Sequence, residues 1–221
     1  MIGIIPVVEQ LLQQSPTTHY AYLCHPCVQH ISKLRREGGF CGYRNIQMLT
    51  SYIVGAGAPG AERLHNKIPS IFRIQEYIET AWDMGTSRSY QLADTRYPSR
   101  CEVQAFKSPE PRAAEAALFQ AIERYFQTGD HDPRDKVRCT SLPPIYFQHR
   151  GHSLTIFGLE KRTNGAAELL VFDPMFRDPD TIAENVGRKI KHRNPDHALK
   201  LYRRGQKYLR KYHEFEILRL S

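Results

Sequence analysis

Apolar residues along the chain follow two different periods. In the first half they recur at helical spacing. Ile5 to Leu12 reads as a short helix, and Thr17 to Arg36 as a longer one carrying Tyr20, Leu23, Val28, Ile31 and Leu34 inward. Ile46, Met48, Leu49, Tyr52 and Ile53 supply the apolar face of a third helix. Ile68 to Trp82 forms a fourth, with Pro69 early, Ser70 placed to cap it, and Ile71, Ile74, Ile78, Ala81 and Trp82 expected in the core. Ala113 to Phe126 is a fifth. In the second half the period shortens. Glu102 to Phe106 alternates weakly, while Pro144 to His149, Ser153 to Leu159, Leu169 to Phe172 and Glu214 to Leu220 are β-branched and aromatic runs bounded by turn formers. Asn164-Gly165 marks a tight turn between the Ser153 and Leu169 runs. The expected fold class is α+β, with helices packed on a mainly antiparallel sheet of about four or five strands. Residues 83–100 show no clear period and are expected to form a surface loop.

Composition changes this picture little. A chain of 221 residues with 41% hydrophobic residues is expected to be one domain with a real core. Residues 1–37 would hold the N-terminal helices, 38–100 the Cys41 helix and the helix and loop after it, and 101–221 the sheet. No apolar run approaches the roughly 20 residues of a membrane span, and the first residues lack the pattern of a signal peptide. Five cysteines without a small-scaffold pattern fit a reducing compartment. A cytoplasmic or nuclear monomer is expected. The net charge of +8 resides largely in Arg188 to Arg193 and Lys200 to Lys211, read as solvated helix face rather than a nucleic-acid site, with an acidic partner surface as a lesser reading. Cys24-His25-Pro26-Cys27, with His19 and His30 nearby, lacks a second pair at zinc spacing. It is read as two packed cysteines at a proline kink, and no metal or cofactor is expected.

Chemistry enters at Gly38-Gly39-Phe40-Cys41-Gly42. Cys41 opens the third helix, where unpaired N–H groups and the positive end of the helix dipole favour the reactive thiolate. A small buried cysteine is the commoner use of this residue, so the second half of the chain decides. His152 follows Gly151 at a strand start, and the hairpin through Asn164-Gly165 returns the chain so that Asp173 ends beside it. A helix-start cysteine, a strand histidine and a neighbouring acid supply the nucleophile, base and orienter of a cysteine hydrolase. His149 is the rival histidine. Gln148, four residues before His152, is a candidate oxyanion donor beside the Cys41 N–H, or else an ordinary strand-end glutamine. Gly38, Gly39 and Gly42 leave room for a slender chain to reach Cys41, and Gly39, Gly42 and Tyr43 are placed on the substrate side. The Ile68 to Trp82 helix and the loop after it are candidate docking surfaces.

Three ordered motifs then carry a resemblance. Phe40 to Leu49, Ile68 to Trp82, and Pro143 to Glu160 followed by Leu169 to Pro174 resemble the ubiquitin-fold-modifier-specific proteases, and within them the zinc-finger-associated ubiquitin-specific branch. The resemblance implies a papain-like cysteine peptidase that hydrolyses the bond after a modifier's C-terminal Gly-Gly. It implies Cys41 as nucleophile, His152 as base, Asp173 as third triad member and Gln148 as oxyanion donor. Modifier-specific members carry Asp-Pro-His, whereas here Asp173-Pro174 is followed by Met175, which favours ubiquitin or polyubiquitin as the partner. A protease for another ubiquitin-like modifier and an inactive ubiquitin-binding module are the alternatives. The acidic segment expected after Trp82 reads Gly85-Thr86-Ser87-Arg88-Ser89. Glu79 and Asp83 are therefore the candidate carboxylates for the arginines of ubiquitin's tail.

Overall fold

The computed structural model describes residues 1–34, 37–83, 101–110 and 112–220. The expected loop at 84–100 lies outside the described residues. The protein has an α+β fold. Among the described residues eight strands form one sheet, ordered β2-β8-β4-β5-β1-β3, with β6 on β5 and β7 on β6. The strands are β1 (Thr18–Leu23), β2 (Cys101–Lys107), β3 (Val137–Cys139), β4 (Ile145–His149), β5 (His152–Arg162), β6 (Ala167–Phe172), β7 (Arg203–Gly205) and β8 (Glu214–Leu220). Only the β1–β3 pairing is parallel among these. The helices are α1 (Ile4–Gln14), α2 (Cys41–Gly55), α3 (Ile71–Asp83), α4 (Ala113–Gln127) and the short α5 (Asp180–Ala183), α6 (Pro195–Leu199) and α7 (Gln206–Leu209). No helix among the described residues is long and apolar enough to cross a membrane.

Strand β5 organises the sheet. Along one edge β6 pairs from Thr155 to Lys161. Along the other, β4 pairs up to Ile156 and β1 takes over from Gly158. The handover requires glycine, because a Cβ at Gly158 would sit 2.4 Å from the Tyr22 carbonyl oxygen. The β5–β6 hairpin turns at Gly165, whose φ of 83° is in the left-handed region that glycine tolerates. Buried aromatic and aliphatic side chains, among them Phe126, Phe147, Phe157, Phe172 and Phe215, fill a single core.

Three expectations need correction. Thr17 to Arg36 is not a helix: β1 occupies its first part, and residues 24–34 run on without helical structure. Tyr20 and Leu23 fit a helical stripe, but Tyr20-Ala21-Tyr22-Leu23 also reads as a β run, and pairing with β3 and β5 satisfies its backbone. Leu34, expected inward, is exposed. Helix α3 does form, with the Ser70 hydroxyl accepting the Arg73 N–H at 3.2 Å, but only Ile74 of its residues is buried, while Phe72 and Trp82 are 76% and 63% exposed. Finally, the sheet is larger than the four or five strands expected, because β1 was hidden in a helical pattern and β3 and β7 are three residues each. Cys24 is buried and Cys27 half-buried, and no metal-holding group of side chains occurs among the described residues.

Candidate active site

Helix α2 begins at Cys41, after Gly38 and Gly39, and its N-cap residue Phe40 makes no side-chain cap hydrogen bond. The first turn therefore keeps its backbone N–H groups free of side-chain acceptors. The approach is braced by Arg44, which pairs with Glu37 and donates to Gln47 Oε1 at 2.8 Å. Helix α2 packs against β4 and β5. The face it buries is unusually polar, with Asn45, Gln47, Thr50 and Ser51 alongside Met48 and Leu49.

The β4–β5 turn passes through Gly151 at φ 83°, which delivers His152 to the start of β5. Asp173 follows the end of β6, one residue beyond Phe172, which is paired with Thr155. The hairpin thus brings His152 Nε2 to 2.8 Å from Asp173 Oδ1. With Nε2 committed to the carboxylate, Nδ1 is the ring nitrogen left for the thiol. Asp173 Oδ1 also accepts the Met175 N–H at 2.9 Å, and Oδ2 accepts from Arg204 Nη2 at 3.0 Å. Arg204 itself lies over the rings of Phe176 and Tyr208. His30, buried and paired with Asp178 through Nδ1 at 2.8 Å, reaches the Asp173 carbonyl through Nε2 at 3.2 Å.

These contacts set the acidities. Burial pushes the Cys41 thiol up, but hydrogen bonds from the Ser153 hydroxyl, His152 and the Ser153 N–H outweigh it, and the net direction is down. The hydrogen bond to Asp173 raises His152 against the opposing effect of burial, with the carboxylate charge and Cys41 adding to the rise. Burial pushes Asp173 up, yet His152, the Met175 N–H and the Arg204 charge hold it below the ordinary value. Such a set favours thiolate and imidazolium together. The rival His149 is committed elsewhere: it is buried, its Nε2 meets Tyr208 Oη at 2.7 Å, and its ring stacks on Tyr212 at 3.7 Å. Burial depresses its pKa.

Two cavities meet at Cys41. One, of about 530 Å³, is lined by Gly39, Gly42, Gln148, Ser153 and Glu216 together with Cys41 and His152. The other, of about 1170 Å³, runs past Asp173 to Met175, Phe176, Leu201 and Tyr208. A Cβ at Gly38 or Gly39 would meet nothing within 4 Å, so both stand in open space beside the thiol, and one at Gly42 would approach Tyr146 Oη at 3.5 Å. Gln148 is exposed in the first cavity. Its Oε1 accepts from Tyr146 Oη at 3.0 Å and its Nε2 donates to Glu216 at 3.3 Å. Tyr43 is half-buried with its ring 5.7 Å from that of Phe40, and Glu79 and Asp83 are exposed on α3. The sequence missed Arg204, Ser153 and Asn45. Arg204 and its neighbour Arg203 fall in the basic run read as solvated, yet both are withdrawn from solvent in ion pairs, Arg203 with Glu160 at 2.7 Å and Arg204 with Asp173.

The sequence model of peptidase family C78 matches residues 17–218. Zinc finger-containing ubiquitin peptidase 1 of Homo sapiens is 34% identical over 195 residues, covering 78% of this chain and 33% of that protein. The Mus musculus protein of the same name is 32% identical over 194 residues, with the same coverage. The chain spans about a third of the length of these curated relatives. Among solved structures, UfSP from C. elegans aligns over 87% of this chain and 32% of its own, at 15% identity and a TM-score of 0.46. With the family match running across nearly the whole chain, the protein belongs to peptidase family C78, a family of cysteine peptidases.

Proposed function

We propose that this chain is a papain-like deubiquitinase, which uses Cys41 to hydrolyse the peptide or isopeptide bond after the C-terminal Gly-Gly of ubiquitin. The observation that carries this reading is the His152–Asp173 pair at 2.8 Å in the same cavity lining as Cys41. In the proposed sequence the Cys41 thiolate attacks the carbonyl of the terminal glycine. His152, protonated in the pair, gives its proton to the leaving amine, and the acyl-enzyme is then opened by water that His152 deprotonates. Asp173 holds the imidazole in register, and Arg204 holds Asp173. The Cys41 N–H and one amide hydrogen of Gln148 serve the developing oxyanion.

Ubiquitin is favoured over the ubiquitin-fold modifier for two reasons. The curated relatives that are 32% and 34% identical to this chain are named as ubiquitin peptidases, and Met175 stands where an Asp-Pro-His arrangement would place its histidine. The open space at Gly38 and Gly39 suits a tail of two glycines, and the exposed face of α3, with Phe72, Trp82, Glu79 and Asp83, suits the body of the modifier. Docking there uses remote contacts to orient the scissile bond.

The test is hydrolysis of C-terminal fluorogenic amides of ubiquitin and of the ubiquitin-fold modifier by the same preparation. The reading predicts a kcat/KM for ubiquitin at least about tenfold higher, a difference of roughly 1.4 kcal/mol in transition-state binding. Preference for the other modifier contradicts the substrate assignment, and cleavage of neither contradicts the peptidase assignment.

A further inference from the structure

The polar face of α2 ends in a chain of hydrogen bonds whose direction is fixed. Thr155 Oγ1 donates to Asn45 Oδ1 at 2.6 Å. Asn45 Nδ2 donates both to the Cys41 carbonyl at 2.7 Å and to Ser153 Oγ at 3.2 Å. The orientation of the Asn45 amide follows from its partners, since a backbone carbonyl only accepts and the atom facing it must be the NH2. Ser153 and Thr155, two apart on β5, face α2 together. All three side chains are buried. Ser153 Oγ, having accepted from Asn45, retains its own hydrogen to donate.

We infer that Ser153 is a further catalytic residue, whose hydroxyl donates to the Cys41 thiolate in a direction imposed by Asn45 and Thr155. The inference rests on Cys41 being the nucleophile. Ser153 and Cys41 line the same cavity, Asn45 ties the hydroxyl of one to the carbonyl of the other, and Tyr146 Oη stands beside Gly42 as the competing acceptor. The sulfur is the charged one in the reactive state, so it makes the stronger bond. Ser153 takes no proton from the thiol. It stabilises the anion left when the proton goes to His152. Asn45 and Thr155 are positioning residues: they turn the hydroxyl hydrogen toward sulfur, and Asn45 also ties the Cys41 carbonyl to the same strand. The titratable and charged groups around the thiol are His152 on β5 and Tyr146 on β4, with Asp173 and Arg204 behind the histidine and Lys33, His149, Arg150, Glu214 and Glu216 lining the cavities at Cys41, and all of them stay in the variants below.

The experiment is alkylation of Cys41 by iodoacetamide across pH. It is followed by the mass of the Cys41 peptide, so that exposed Cys101 and Cys139 do not interfere. In Ser153→Ala the alkylation midpoint rises by about one pH unit and the rate near pH 6 falls about tenfold. Ser153→Thr restores most of the loss, and the near-isosteric Thr155→Val falls between wild type and Ser153→Ala. An unchanged midpoint in folded Ser153→Ala overturns the inference. If that variant does not fold, an unchanged midpoint in Thr155→Val overturns it. The readout needs no modifier: alkylation as expected in a protein that cleaves neither modifier upholds this inference while sinking the proposed function.

Discussion

At the scale of single residues, the acidities of Cys41 and His152 move toward each other, one down from 9.0 and the other up from 6.5. Activity on ubiquitin should therefore give a bell-shaped pH profile. Its rising limb lies below the ordinary thiol value and its falling limb above the ordinary histidine value, each belonging to the pair rather than to either group alone. Replacing Arg204 by Met should leave Asp173 Oδ2 without its cation, destabilise the fold by about 3 kcal/mol as a broken buried pair does, and move the falling limb toward higher pH, because a cation that disfavours the imidazolium is gone. Chemical denaturation and the pH profile check these two effects separately. Gln148→Ala should lower kcat by about 10²-fold with little change in KM, the mark of an interaction made in the transition state. The convergence of Cys41, His152 and Asp173 was legible because each stands at an element boundary that the sequence announces: glycines before Cys41, Gly151 before His152, and a strand ending just before Asp173. Arg204 was not. A cation inside a basic run gives no sign that its partner is a carboxylate thirty-one residues away, and Ser153 looks like any polar residue in a strand until the helix beside it is known.

At the scale of elements, β5 is the organising strand, since it sets His152 against Asp173, presents Ser153 and Thr155 to α2, and hands its edge from β4 to β1 at Gly158. Gly158→Ala would drive a methyl into the Tyr22 carbonyl. We expect a loss of about 1–3 kcal/mol from overpacking, seen as a lower midpoint in urea, with Cys41 reactivity retained in the folded fraction. Helix α3 makes the opposite case. Trp82→Ala should change stability by no more than about 0.5 kcal/mol, because the side chain is largely exposed, while raising KM for ubiquitin. Sequence pattern located α1, α2, α3, α4 and the β4–β5–β6 hairpins, where periodicity and turn residues agree. It failed at β1, whose aromatic spacing satisfies both periods until Pro26 and the pairing with β5 decide. It also misplaced the face of α3, because an apolar stripe reports that something covers it and does not say whether the cover is the core or a partner.

At the scale of the whole molecule, the excess of positive charge does not mean a uniformly solvated cationic face, since Arg203 and Arg204 are folded inward against Glu160 and Asp173. The acids on the other side of such contacts govern stability in acid. Asp173, Asp178 and Asp196 are all held below the ordinary value of 3.8, in each case by hydrogen bonds and cations that overcome burial. A depressed carboxylate contributes stability that is present above its unfolded pKa and is lost as pH falls through the folded one. The thermal midpoint should therefore fall steadily from about pH 5 to about pH 3, and less steeply in Asp173→Asn. The central claim is that this arrangement makes Cys41 the nucleophile for ubiquitin's C-terminus. The most direct measurement is the intact mass of the protein after incubation with ubiquitin ending in an electrophile, beside Cys41→Ala and beside the same electrophile on the ubiquitin-fold modifier. The account predicts a single ubiquitin adduct that maps to Cys41 and is absent from the variant. A folded protein that forms no ubiquitin adduct, or forms one that survives Cys41→Ala, would contradict it.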